Sequence, residues 1–412
     1  MTKNLVAEII SVGTELLLGE IIDTNATFLS TRLRDLGITV YRKSTVGDNL
    51  ERLTETIKNA LSRSDIAILG GGLGPTDDDM TREAIAAYCG EEPYVDAKLY
   101  EELKEKFAAR KRPMPASNAK QAWLIKSAET LPNPIGTAPG WFVKTAEGKI
   151  IITLPGPPHE MTRMWCEEVE PKLPVSSKCL YHKIIRTIGL GESHLTEKIE
   201  KYTSMAVPGV GTYCRDAGVD IRVAAVGDTI EEAEKIVKPV ADDICNILSD
   251  WVFGFDDDTI VSVIKRFLDA KKQTFCCIES LTGGMLASQI TACPGISTCF
   301  KGSLTSYSNE IKEMAGVDSS IIQNFGAVSK ETATAMAEGA RELLKTDWAV
   351  STTGVAGPEP LEGKRPGTAW IAVAGPDGVV ADFVDWPGSR EMVRLRVCKN
   401  AFNLLFRQLK AM

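Results

Sequence analysis

Ile66-Ala67-Ile68-Leu69-Gly70-Gly71-Gly72-Leu73-Gly74-Pro75-Thr76-Asp77-Asp78-Asp79-Met80-Thr81 sets the architecture of the N-terminal part of this chain. Four apolar residues running into three glycines read as a buried strand. The strand leaves through a glycine loop and enters a helix near Thr81, the building unit of an open α/β sheet. The same pattern continues on either side. Glu8 to Val12 is a short apolar run ending in Gly13, a second buried strand. Thr24-Asn25 starts a helix with Phe28, Leu29, Leu33 and Leu36 at helical spacing, stopped by Gly37. Thr39 to Tyr41 reads as a strand, and Leu50, Leu53, Ile57 and Leu61 form the next helical stripe. Strands alternating with amphipathic helices predict a parallel sheet covered on both faces. Lys149 to Leu154 adds a strand that ends in Pro155-Gly156-Pro157-Pro158. The domain closes near Leu173, between Pro171 and Pro174.

Two further segments follow. Residues 180–252 read as a small α+β module, with strands at His182 to Ile188 and Asp220 to Val226 and helices at Ser193 to Tyr202 and Ile230 to Ile247. Phe255-Asp256-Asp257-Asp258 reads as a polar hinge. Beyond it the α/β logic returns, with a short buried strand at Thr274 to Ile278, others at Trp348 to Ser351, Thr368 to Ala374 and Val379 to Val384, and a last helix from near Ser389. The chain is therefore multidomain α/β, divided at 1–175, 176–254 and 255–412.

With 412 residues, the chain is too long for one core. Hydrophobic residues make up 44% and charged residues 25%, which excludes disorder and fibrous repeats. A net charge of -8 makes duplex nucleic acid a poor partner. There is no apolar stretch long enough to span a bilayer and no secretory leader pattern, so a cytoplasmic location without membrane attachment is expected. Ten cysteines without a CxxC pair read as reduced, buried hydrophobes rather than a zinc site. His159, His182 and His194 are the 3 histidines, so a nucleophile in the last domain has no histidine as base.

Glu279-Ser280-Leu281-Thr282-Gly283-Gly284 stands where a buried strand hands over to a helix. Such a corner presents backbone N–H groups and the positive end of the helix dipole. A hydroxyl there meets a carbonyl or a phosphate. The plainer reading is that Ser280 or Thr282 only caps the helix. A second corner of the same kind, Thr352-Thr353-Gly354-Val355-Ala356-Gly357-Pro358, lowers its weight, because strand ends of one sheet share a ligand crevice. If Ser280 is a nucleophile, its base is Lys, Tyr or a carboxylate. Tyr307 and Lys312 stand at another junction, Ser306-Tyr307-Ser308-Asn309-Glu310-Ile311-Lys312, where an ordinary solvated lysine is the competing reading.

These motifs, with Gly326-Ala327-Val328-Ser329, resemble the C-terminal domain of the CinA family over about 256–412. The resemblance implies a nicotinamide mononucleotide deamidase that requires no cofactor. It implies Ser280 as nucleophile with Tyr307 and Lys312 as activating partners. Thr282, Gly283, Gly284, Thr353, Gly354 and Gly357 are then substrate contacts, and Arg390, Arg394 and Arg396 phosphate candidates. Two departures stand out. Leu281 occupies a position where the family commonly has Cys. Pro360 lies where the family continues with glycines, and its fixed φ near -65° denies that residue a left-handed turn.

In the N-terminal part, a glycine-rich turn suits a phosphate, but Asp77, Asp78 and Asp79 repel one. A divalent cation resolves the conflict. Capping of the helix at Thr81 is the plainer use of these aspartates. Gly13-Thr14-Glu15-Leu16, Asp23-Thr24-Asn25, the Gly71–Thr81 loop and Leu154-Pro155-Gly156-Pro157-Pro158-x-Glu160-Met161 together resemble the molybdopterin-binding-like domain of the same family. The middle segment resembles its KH-like domain; the acidic Gly189-Leu190-Gly191-Glu192 argues against RNA binding there. The resemblance implies metal-dependent hydrolysis of ADP-ribose with Mg, Mn or Co. Asp79 is then the first catalytic and metal-ligating candidate, with Asp78 and Glu15 beside it and Gly71, Gly72, Gly74, Thr76 and Asn25 on the substrate. It also implies a homodimer. The alternative is a non-catalytic module that binds a pterin, a nucleotide or a protein partner in competence or the response to DNA damage.

Overall fold

The structure is a computed structural model that describes residues 5–173, 179–215 and 218–412. The expected boundary between residues 175 and 176 lies outside them. In the N-terminal domain, strands β1 (Val6–Val12), β2 (Thr39–Val46), β3 (Ile66–Gly70), β4 (Tyr94–Val95), β5 (Trp123–Leu124), β6 (Ala128–Leu131), β7 (Gly140–Lys144) and β8 (Ile150–Leu154) follow in chain order. Six of them form one sheet, ordered β2-β1-β3-β8-β7-β6, while β4 and β5 pair apart. The expected parallel pairing holds for β2, β1, β3 and β8. It fails at β6 and β7, which run antiparallel. The connections there are too short for a parallel crossover; the chain turns back between Thr145 and Lys149, whose N–H and carbonyl meet at 2.9 Å.

Both faces of this sheet are covered. Ile9, Ile68 and Ile152 pack with Leu29, Leu33 and Trp165 on one side. Their neighbours Ile10, Leu69 and Ile151 pack with Leu53, Ile57, Leu61 and Trp141 on the other. Adjacent strand residues serve opposite cores because the side-chain period is two. The helix Thr24–Asp35 is capped by Asp23, whose carboxylate accepts the Ala26 N–H at 2.8 Å, so it starts one residue past the true cap.

The exit from β3 explains its glycines. Gly71 has φ +107°, and a Cβ there would lie closer than 3.0 Å to the Val12 carbonyl oxygen. Gly71→Ala is therefore expected to cost about 3 kcal/mol or more, read as a lower urea midpoint of the N-terminal domain.

The middle domain carries β9 (Cys179–Thr187), β10 (Gly209–Cys214), β11 (Val219–Gly227) and β12 (Val252–Phe255) in the order β10-β11-β9-β12. The single helix expected over Ser193 to Tyr202 is two, Glu192–Lys198 and Glu200–Thr203. The chain forms two compact units, Met1–Tyr181 with Val226–Ala233 and His182–Ala225 with Glu234–Met412. Most of the middle segment thus belongs with the C-terminal domain. The polar hinge expected at Phe255–Asp258 is instead an ion-paired joint. Asp256 accepts the Ile184 N–H and pairs with Lys183, and Asp258 is gripped by Arg266.

The C-terminal sheet contains β13 (Phe275–Glu279), β14 (Phe300–Thr305), β15 (Trp348–Gly354), β16 (Thr368–Gly375) and β17 (Gly378–Asp385) in the order β14-β13-β15-β16-β17. β13, β14 and β15 are parallel, so their carboxyl ends meet on one edge. The helix Arg390–Ala411 lays Val393, Val397, Ala401 and Leu405 on one face of the sheet. Ala333, Met336, Ala337 and Ala340 of Lys330–Leu344 cover the other.

Candidate functional sites

The carboxyl ends of β13 and β15 form the first site. The Ser280 N–H donates to the Thr352 carbonyl at 2.8 Å, which locks the two corners together. The Gly283 N–H returns to the Ser280 carbonyl at 3.1 Å, making a turn with Leu281 and Thr282 at its centre. Ser280 is buried, and its hydroxyl makes no hydrogen bond among the described residues. It therefore does not cap a helix. Sequence reading assigned no role to Glu279, although an acidic residue ending an apolar strand was the signal. Its carboxylate is fully buried and accepts the N–H groups of Gly284, Leu286 and Ala287 at 3.0, 3.0 and 2.8 Å.

Thr282 and Thr353 were expected on the substrate, but their hydroxyls turn inward. Thr282 bonds Thr352, hydroxyl to hydroxyl, at 2.7 Å, and Thr353 donates to the Ala327 carbonyl at 2.7 Å. Both hydroxyls are buried because each finds a partner inside the protein. Gly283 and Gly284 adopt φ +57° and +90°, which lets the backbone close the turn. Gly354 ends β15, and the Gly357 carbonyl accepts from Arg390 at 2.7 Å.

Lys312 is not a surface lysine: it is 2% exposed. Its ammonium donates to the carbonyls of Ser306, Tyr307 and Ser308 at 3.0, 3.4 and 3.4 Å. Burial pulls its pKa below the usual lysine range, against the opposing pull of Glu362 and Glu310. The same loop reaches the strand that leads into Ser280, since the Ser306 N–H donates to the Glu279 carbonyl at 2.7 Å. Tyr307 is placed otherwise. It is 62% exposed, and its hydroxyl accepts from Arg390 at 3.0 Å rather than bonding Ser280.

The three arginines of the last helix diverge. Arg390 and Arg394, four residues apart and so on one face, reach Gly357 and the Thr282 carbonyl, the latter at 2.7 Å. Arg396 stacks on Trp386 at 4.3 Å instead. The Pro360 departure is absorbed two residues later. Glu362 and Gly363, with φ +51° and +71°, form a two-residue turn between Leu361 and Lys364. The Glu362 carboxylate then receives the Ala327 and Val328 N–H groups at 2.8 and 3.2 Å.

The second site is a cleft of ≈ 390 Å³ in the N-terminal domain. Glu15, Asp48, Asp78, Asp79 and Glu160 line it, with Gly71, Gly72 and Gly74. Asp79 does not cap the helix, whose cap position is Met80. Its oxygens accept the Gly74 and Thr76 N–H groups at 2.8 and 3.0 Å and the Thr76 hydroxyl. Asp79 is thus a loop clasp, with little capacity left for an ion. Thr76 serves that clasp, and Asn25 donates to the Gly156 carbonyl at 2.7 Å with its other amide atom unpartnered. No three His, Cys, Asp or Glu side chains converge on a metal position among the described residues. A magnesium-like ion needs only one or two carboxylates when phosphate and water complete its shell. Asp78 and Glu15 fit that requirement.

Arg82 was overlooked, although it shares a helix face with Ile85 and Ala86. It is fully buried and donates to the Leu73 and Pro139 carbonyls at 2.9 and 2.9 Å, tying the Leu73 loop to the segment at Pro139. Burial pulls its pKa down to about 10.

The expectation of buried cysteines holds for Cys276, Cys277, Cys299 and Cys398, whereas Cys166 and Cys214 are exposed. Burial pushes Cys276 up to about 11 and Cys398 up to about 12, so both remain thiols near neutrality. Among the described residues, no helix is long and apolar enough to cross a membrane.

Three family models match in chain order: "Probable molybdopterin binding domain" over residues 8–175, "Damage-inducible protein CinA KH domain" over 182–254 and "CinA C-terminal domain" over 257–409. A CinA-like protein of Deinococcus deserti is 44% identical over 405 residues, covering 98% of this chain and 98% of that one. The chain belongs to the CinA family. A CinA-like protein of Deinococcus radiodurans is 45% identical, with 99% of each chain covered. A crystal structure of the CinA protein of Thermoplasma acidophilum matches at 35% identity, covering 40% of this chain and 96% of that one, with TM-score 0.38. The fold classes expected from the CinA resemblance are those found: a molybdopterin-binding-like domain, a KH-like domain and a CinA C-terminal domain.

Proposed function

We propose that the C-terminal domain hydrolyses the carboxamide of nicotinamide mononucleotide to the carboxylate and ammonia. The observation that carries this reading is a buried serine with an uncommitted hydroxyl and a buried lysine on the loop that hydrogen-bonds the strand leading into that serine, Ser306 N–H to the Glu279 carbonyl. Ser280 Oγ attacks the amide carbon and its proton passes to neutral Lys312. The tetrahedral adduct collapses, and the departing amine takes that proton as ammonia. Water then cleaves the ester, returning the Ser280 hydroxyl and releasing nicotinate mononucleotide. Arg390 and Arg394 receive the phosphate, and Tyr307 is held at the rim by Arg390.

This role needs Lys312 in its neutral form, which burial favours. Ammonia release from nicotinamide mononucleotide is therefore expected to rise with pH along a limb below the ordinary lysine value of 10.5. Lys312→Arg keeps a charge at every accessible pH, so it should lose about 10²-fold or more and lose that limb. An unchanged profile would remove Lys312 from the role.

For the N-terminal cleft we infer metal-dependent hydrolysis of ADP-ribose to AMP and ribose 5-phosphate. Asp78 and Glu15 would hold the ion, which supplies charge neutralisation at the diphosphate and a more acidic water. The residues' own tasks are separate: Asp79 shapes the loop that faces the diphosphate, and Asn25 steadies the Gly156 turn. The commitment of Asp79 to its own loop also favours a second reading, binding of a pterin or nucleotide without turnover. AMP release with Mg, Mn or Co that chelator abolishes supports hydrolysis. Calorimetric binding without AMP supports the second reading.

A further inference from the structure

Most amides at the Ser280 corner are already committed. Ser280 donates to Thr352, Gly283 to Ser280 and Met285 to Thr282, while Gly284, Leu286 and Ala287 all donate to Glu279. The Leu281 and Thr282 N–H groups make no hydrogen bond among the described residues. They are the central amides of the Ser280–Gly283 turn, and the turn's own hydrogen bond, Gly283 N–H to the Ser280 carbonyl, uses neither. Three ties hold the turn in place: the Glu279 carboxylate on the Gly284 N–H that directly follows it, the Thr282–Thr352 hydroxyl pair and Arg394 on the Thr282 carbonyl.

We propose that the Leu281 and Thr282 amides form the oxyanion site for attack by Ser280, and that Glu279 is the positioning residue that aims them. This rests on the reading of Ser280 as nucleophile. When Oγ bonds to a carbonyl carbon, the carbonyl π pair moves to oxygen, and the charge needs donors already in place. Two fixed amides supply them without reorganisation. Glu279 touches no reacting atom. It draws the helix amides away from the site and fixes the turn whose two free amides remain. A buried carboxylate that accepts three N–H groups cannot be replaced by an amide without opposing one donor to another.

The test uses the full chain and Glu279→Gln, with two readouts. The first is ammonia release from nicotinamide mononucleotide. The expected result is a kcat lower by about 30-fold or more with KM within about threefold, since a structural role in substrate binding would raise KM instead. The second is phosphonylation of Ser280 by a fluorophosphonate, in which the Oγ–P bond forms, fluoride leaves and the hydroxyl proton goes to the base. It should slow in parallel. Equal kcat and equal labelling in the variant would overturn the proposal. If the wild type labels at Ser280 and the variant does so slowly, but neither releases ammonia, the amide substrate is wrong and the oxyanion site stands. No labelling of wild-type Ser280 overturns the site itself. Should Glu279→Gln fail to fold, Thr352→Val decides. It removes the second tie, and a kcat unchanged from wild type would contradict the proposal.

Discussion

Ser280→Ala is expected to lower ammonia release from nicotinamide mononucleotide by about 10³-fold or more while leaving the fold intact. The two halves of that expectation have separate causes. The hydroxyl is the only protein group in the proposed chemistry that forms a covalent bond to the amide carbon, so no neighbouring side chain substitutes for it. The same hydroxyl bonds nothing among the described residues, so its removal leaves no buried group unsatisfied. The cost in stability should stay within about 0.5 kcal/mol, and the melting temperature should barely move. Substantial ammonia release by a folded Ser280→Ala protein would end the serine mechanism.

The second large effect is on stability, at Arg82. Methionine fills much of the same volume but donates nothing, so Arg82→Met orphans the Leu73 and Pro139 carbonyls inside the protein. Each hydrogen bond from a charged donor is worth about 1.5–3 kcal/mol, offset by relief from burying the charge. The net loss should be about 3 kcal/mol, seen in urea unfolding of the N-terminal domain. The cleft should loosen with it, because the residue ties the loop at Leu73 to Pro139, next to Ala138 of the cleft lining. A stability equal to wild type would mean that these carbonyls find other donors and that Arg82 is no brace.

Much of this architecture was legible in the chain because one physical signal repeats. Ile66 to Leu69 and Phe275 to Ile278 are apolar runs buried on both faces, and Leu53, Ile57 and Leu61 recur at helical spacing. Reading failed where the signal was weaker. β6 and β7 are short, and their direction depends on the length of the intervening turns rather than on composition. β14 carries Lys301, Gly302 and Ser303 on an edge, and only its exit at Ser306 was visible. At the sites, residue type indicated which groups were present but not where they point. Thr282, Thr353 and Asp79 read as ligands to a substrate or metal, yet each is engaged by its own surroundings. Glu279 and Arg82, buried charges with internal partners, read as unremarkable, because their value lies in which backbone groups they satisfy. Such pairings depend on loop geometry that periodicity does not encode. Lys312 is the opposite case: an ordinary-looking lysine whose burial appears only once the 306–308 carbonyls fold around it.

The most direct measurement is the stoichiometry of ammonia and nicotinate mononucleotide produced from nicotinamide mononucleotide by the purified full chain in the presence of chelator. One ammonia per nicotinate mononucleotide, at a rate the chelator does not change, is the expected result. The absence of ammonia from a folded protein would contradict the assignment of the C-terminal domain.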